Sequence, residues 1–280
     1  MKFRILAAAA AFLGLGLASA EAHTAYMLPR SFAPTGNIVT VDAGYATSFF
    51  TSEIGIASPA MHYNGPDGGH GSFDAASVDA THSSFDFSTE SEGTYHFTTG
   101  EILGPVTTLL ADNGTWRPLA PGETPAADAQ TQTLQTVIVA DTYISKVRPS
   151  DAPLTTQVGR LAIRPITHPN RVSIATGFEV QLLLDGQPLP NMAVVLYAQG
   201  DPETKLDNFV TTGADGHAKF TFTTPGTYMA AVRYRAQAPA GAAAQVQSYT
   251  TTLTFQVLQD LPPIPPPPRP QRRQSSGWPY

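Results

Sequence analysis

The chain has no cysteine in 280 residues. That excludes a disulfide framework, a thiolate metal site and a lipobox cysteine that would tether the protein after export. Charge is scarce as well: Asp, Glu, Lys and Arg make up 14% of the residues, and the net charge is −6. An acidic body without clustered Lys and Arg argues against nucleic acid as a partner, because phosphate contacts need cationic side chains. Beyond Leu17 no apolar run is long enough to span a bilayer, so no membrane span is expected once the leader is removed. Motifs of catalysis are missing too. There is no Gly-x-Ser-x-Gly elbow, and Gly68-Gly69-His70-Gly71 lacks the lysine and helix that a phosphate-cradling loop requires, so the chain reads as a non-enzyme. What is abundant is Gly and Pro, 23 and 25 residues, which favour turns and strands over long helices.

The first residues carry an export signal. Lys2 and Arg4 precede an apolar run from Ile5 to Leu17, and small residues follow, so residues 1–22 read as a secretory signal peptide and the protein as periplasmic. Two A-x-A exits compete, Ala18-Ser19-Ala20 before Glu21 and Ala20-Glu21-Ala22 before His23. Either cut leaves a histidine beside a new amine. Cleavage before His23 puts amine and imidazole on one residue, a bidentate chelate for Cu(II) or Ni(II). Cleavage before Glu21 gives Glu21-Ala22-His23, whose amine, two amides and imidazole can enclose the same ions in a square plane.

Period-two alternation recurs along the chain, at Phe178, Val180, Leu182 and Leu184, at Tyr228, Ala230, Val232 and Tyr234, and from Tyr249 to Val257. It predicts half-buried strands. Asn113-Gly114, Asp185-Gly186 and Asp215-Gly216 are β-hairpin turn signals. An internal echo points to tandem units: His82-Ser-Ser-Phe85-Asp-Phe87 followed by Gly93-Thr94-Tyr95 has a counterpart in His217-Ala-Lys-Phe220-Thr-Phe222 followed by Gly226-Thr227-Tyr228. The expected fold is all-β, with two Ig-like or prealbumin-like β-sandwich domains over residues 23–155 and 156–258. Residues 259–280, rich in proline and carrying three arginines, read as a disordered tail.

The run Phe178 to Val195 with Asp185-Gly186 and Pro188-Leu189, then Asp215-Gly216-His217-Ala218-Lys219-Phe220, Gly226-Thr227-Tyr228 and Tyr249 to Val257, resembles the DUF4198 family, also described as the periplasmic component of nickel or cobalt uptake systems. The opening His23-Thr24-Ala25-Tyr26-Met27-Leu28-Pro29 agrees with it. The resemblance implies an exported β-sandwich protein associated with divalent metal handling; with the N-terminal chelate, the expected ions are Ni(II), Co(II) or Cu(II) and the expected partner an envelope transporter or outer-membrane receptor. The long proline-arginine tail and the His-Gly loop depart from the family pattern.

Seven histidines are present, and none forms His-x-His or His-Glu-x-x-His. The reading places a metal at His23, with His70, His62 and His96 as further ligands. His62 and His70 bracket a flexible loop with Asp67, a composition that an ordinary surface turn also prefers. His96 alternates with Tyr95 and Phe97; if those aromatics point inward, His96 points out, where it could meet the N-terminal strand. His82 and His217 occupy matching places in the echo and read as structural, and His168, before Pro169, as loop. Two other classes stay open: a metal-free interaction or adhesion module, and a copper monooxygenase with an N-terminal histidine.

Overall fold

A computed structural model describes residues 23–266. The signal peptide with its two cleavage sites and the arginine-bearing end of the tail lie outside the described residues. The strands in chain order are β1 (Thr24–Pro29), β2 (Ile38–Ala46), β3 (Ile54–Gly55), β4 (His62–Asn64), β5 (His70–Gly71), β6 (Ala75–Val78), β7 (Ser83–Ser88), β8 (Gly93–Thr98), β9 (Ile102–Asp112) and β10 (Thr115–Pro118). They continue with β11 (Thr131–Lys146), β12 (Leu161–Pro165), β13 (Val172–Ser173), β14 (Phe178–Leu184), β15 (Gln187–Pro188), β16 (Ala193–Ala198), β17 (Phe209–Thr211), β18 (His217–Phe220), β19 (Gly226–Gln237) and β20 (Val246–Leu258). The only helical turns among the described residues are two short 3-10 turns, Ala152–Thr155 and Pro169–Arg171.

The fold is all-β, as the alternation requires. A large central sheet runs β17-β16-β19-β20-β11-β8-β4-β5, with β9, β10 and β13 attached to it. One outer sheet holds β1, β2, β7, β6 and β3, and the other holds β12, β14, β15 and β18. Strand parity decides which outer sheet each residue meets. Tyr95, Phe97, Ala140 and Ile144 pack with Val39, Val41, Phe85 and Phe87 of the first outer sheet. Val137 and Tyr143, of opposite parity on β11, join Leu161, Ile163, Phe178, Phe220 and Phe255 on the other side. Each half is therefore a sandwich, and the two sandwiches use opposite faces of one shared sheet.

The halves are joined by strand pairing as well as by chain. Leu134 to Thr142 of β11 pair in parallel with Val246 to Thr254 of β20. A third cluster, Tyr26, Ala46, Phe49, Tyr197, Met229 and Ala231, ties the start of the chain to the C-terminal half.

Local turn chemistry follows the residues, with one exception. Asn113-Gly114 and Asp185-Gly186 take positive φ at both positions, at 48° and 80° and at 51° and 75°. They close the β9–β10 and β14–β15 hairpins, as two-residue turns of this kind do. Asp215-Gly216 does not close a hairpin: it leads from β17 in the central sheet to β18 in an outer one. There Gly216 has φ 76°, and a Cβ would lie 2.7 Å from the Leu182 carbonyl oxygen.

The echo is a repeat in three dimensions. β7 and β18 each lie in an outer sheet and hand the chain to β8 and β19 in the central one. Phe85 and Phe87 fill one core and Phe220 and Phe222 the other. In both copies the tyrosine of Gly-Thr-Tyr donates its hydroxyl to the carbonyl four residues upstream, Tyr95 to Ser91 and Tyr228 to Thr224, each at 2.9 Å. His82 and His217 also match, each meeting a carboxylate of the neighbouring strand: Asp42 Oδ1 at 3.5 Å and Glu179 Oε1 at 2.7 Å.

Candidate functional site

The structure separates the four histidines named above into two places. His23 stands at the start of β1, half-buried, with Nε2 3.0 Å from Glu53 Oε2. The other oxygen of Glu53 accepts from the Thr47 backbone N–H at 2.9 Å and from the Thr47 hydroxyl at 2.5 Å. Those two bonds, and after them His23, hold the Glu53 carboxyl below its usual range. A carboxylate in this state only accepts, so the proton of this contact sits on His23 Nε2.

Next to this contact, Thr24 bonds to Glu203, and Arg233 Nη2 lies 2.5 Å from both Thr24 Oγ1 and Glu203 Oε1. Glu203 N–H in turn donates to the Thr47 carbonyl at 2.7 Å. The first strand thus leaves the fold at a polar seam between the two halves, supported by residues from both.

His62, His70 and His96 lie elsewhere, on the face of the central sheet turned away from β1. The register makes this explicit: His70 pairs with Asn64, Asn64 with His96 and His96 with Tyr143, and in the adjacent row His62 pairs with Thr98 and Thr98 with Asp141. Paired residues project to one side of a sheet, so all these side chains share a face. His96 does point away from Tyr95 and Phe97, but it does not meet the N-terminal strand. That strand packs with Ala25 and Met27 on the opposite, apolar face.

His96 is 1% exposed, stacked on Tyr143 with ring centroids 4.4 Å apart. Its Nδ1 lies 3.4 Å from Asn64 Nδ2, and its Nε2 lies 3.1 Å from Asp141 Oδ1. Burial, and after it the Asp141 charge, pushes the Tyr143 phenol well up. His62 Nδ1–H donates to the Ala60 carbonyl, 2.7 Å away, and its ring centroid is 6.4 Å from that of exposed His70. Among the described residues no three His, Asp or Glu side chains converge as a ready-made metal cage.

Sequence reasoning did not single out Glu53, Asn64 or Asp141. Asp141 carried a signal: a lone carboxylate inside the apolar and threonine-rich run Val137 to Ile144 is a residue type rarely buried without a partner. Glu53 and Asn64 carried none. His168 is also more than loop: it bonds Thr94 Oγ1 at 2.9 Å, and burial lowers its pKa.

Fold and site together define a β-sandwich protein whose first strand begins with a carboxylate-held histidine. The chain belongs to the DUF4198 family, described as a domain of unknown function, which it matches over residues 20–236. No curated protein matches it. Among solved structures it is similar to the D0-D1 domain of Intimin, at 12% identity, a TM-score of 0.21, and coverage of 82% of this chain and 96% of that one. Among the described residues no helix is long and apolar enough to cross a membrane.

Proposed function

We propose that this protein captures a divalent transition metal, Ni(II), Co(II) or Cu(II), at a processed N-terminus containing His23 and presents it to an envelope transporter in the periplasm. The observation that carries the reading is the contact between His23 Nε2 and Glu53. A chelate between a histidine's own α-amine and its ring closes a six-membered ring only through Nδ1, and the peptide chelate of Glu21-Ala22-His23 uses the same nitrogen. In both cases the carboxylate engages the other nitrogen. That is the arrangement in which an outer-sphere acid fixes the tautomer and raises the basicity of a ligating imidazole. Glu53 is itself pinned by Thr47, so the ring orientation is inherited from the fold.

The seam around Thr24, Glu203 and Arg233 adds a second support, because it anchors the residue next to His23. A terminus held this way is ordered before metal arrives, which reduces the ordering cost of binding. The test compares wild-type protein with Glu53→Gln after confirmed processing. Loss of the carboxylate should weaken Cu(II) or Ni(II) binding by about 10- to 100-fold while the chelating atoms remain. Unchanged affinity in Glu53→Gln, or in His23→Ala, would remove the N-terminal site.

A further inference from the structure

On the opposite face of the central sheet, His96 Nε2 and Asp141 Oδ1 are both buried and both lack a hydrogen-bond partner, although they are 3.1 Å apart. The two atoms lie close but out of line for a hydrogen bond between them. Asn64 Oδ1 is buried without a partner too. Turning the Asn64 amide over exchanges only its nitrogen and oxygen and lets Oδ1 accept from His96 Nδ1–H across 3.4 Å, with Nδ2 then in the unpartnered position. The same step leaves His96 Nε2 as a lone-pair nitrogen facing a carboxylate oxygen. Two acceptors at that separation need something electropositive beside them.

Room for it is present: a cavity of about 90 Å³ opens onto His96, Asp141 and Arg164, roughly the space of three waters. With metal–nitrogen and metal–oxygen bonds of about 2.0–2.2 Å, ligand atoms 3.1 Å apart subtend roughly 90–102° at one ion, from the square-planar value toward the tetrahedral one. The repeat sharpens the point. In the second copy the residue after Gly226-Thr227-Tyr228 is Met229, fully buried and apolar, so neither this turn nor this strand needs a histidine for its fold.

We infer that His96 Nε2 and Asp141 Oδ1 form a second divalent transition-metal site, completed by water in the cavity, with Asn64 orienting the imidazole through Nδ1. The site is independent of the N-terminus. Exposed His70, on β5 one strand beyond Asn64, and half-buried His62, on β4 with Asn64, lie on the same face toward the sheet edge. Arg164, whose Nε is also without a partner, lines the cavity and can donate to a metal-bound water or hydroxide; its charge makes this the weaker of the two sites.

The experiment uses the full processed chain carrying His23→Ala, titrated with Zn(II) by calorimetry and with Co(II) by visible absorption. One equivalent should bind with the imidazole signals of His96 shifting, and adding Asp141→Asn or His96→Gln should weaken binding at least tenfold. No binding by His23→Ala overturns the second site and leaves the N-terminal proposal standing; full wild-type binding by His23→Ala does the reverse. Binding that survives His96→Gln and is lost in His70→Ala assigns the ion to the surface pair and also overturns it. If a buried-site variant does not fold, the melting temperature of His23→Ala decides: it should rise with Zn(II) concentration, as a native-state ligand requires, and a flat response contradicts the site.

Discussion

The two copies of the repeat differ at one buried residue that follows their shared Gly-Thr-Tyr. Each sends a strand from an outer sheet into the central one, turns, and continues with Gly-Thr-Tyr, and each tyrosine ties its hydroxyl to the carbonyl four residues back. The next residue is His96 in the first copy and Met229 in the second, and both are buried. Met229 packs among Tyr26, Phe49, Tyr197 and Ala231 with no polar atom to satisfy. His96 sits with an orphaned nitrogen next to an orphaned carboxylate oxygen. Repeats built by the same folding rules show what the fold needs where they agree; where they differ, with one position apolar and the other unsatisfied, the fold has no use for the polar choice. That difference is what the proposed second site rests on.

The largest effects should come from what the copies share. Phe87→Ala, at a fully buried ring, should cost about 3–5 kcal/mol in denaturant unfolding, and Phe222→Ala, whose ring is 6% exposed, somewhat less. Equal and small losses would mean that the repeat does not organise the two cores. Replacing the differing pair comes next. His96→Met with Asp141→Leu removes a buried polar pair in favour of apolar side chains, and should leave the metal-free protein as stable as wild type or up to about 4 kcal/mol more so. A clear loss would show that the pair holds the fold together.

Smaller still is the tyrosine contact. Tyr95→Phe should cost about 1 kcal/mol and Tyr228→Phe less, because Tyr95 is 3% exposed whereas the Tyr228 bond lies at the surface. The pH response should report on the contact between the halves. Burial lowers the folded pKa of His168, which bonds Thr94 of the first copy, below the ordinary histidine value. The unfolded chain therefore takes up the proton first. Stability from this residue is complete above about pH 6.5 and declines as the pH falls from there toward the folded pKa. His168→Asn should flatten that slope in urea titrations between pH 7 and 5.

Much of this architecture is visible in the amino-acid order, because it is local. The alternation at Phe178 to Leu184 and Tyr249 to Val257, the Asn113-Gly114 and Asp185-Gly186 turns, and the echo all act over a few residues. The parallel pairing of Leu134–Thr142 with Val246–Thr254 brings together segments more than a hundred residues apart. No pattern in either segment names the other. For the same reason Asp215-Gly216, an ordinary hairpin signal, turns out to link two sheets. The site was half visible: His23 and His96 stood out by residue type, but Glu53, Asn64 and Asp141 reach them through tertiary structure. Strand parity did point His96 away from Tyr95 and Phe97, yet which element waited on that side depended on how the second half folds back.

The measurement that bears most directly on the account is intact mass and N-terminal sequencing of protein recovered from its native compartment, followed by Cu(II) and Ni(II) titration of that sample and of processed His23→Ala. The account predicts a terminus at Glu21 or His23, tight binding of one equivalent there, and loss of that equivalent in His23→Ala. A terminus elsewhere, or a titration that His23→Ala does not change, would contradict it.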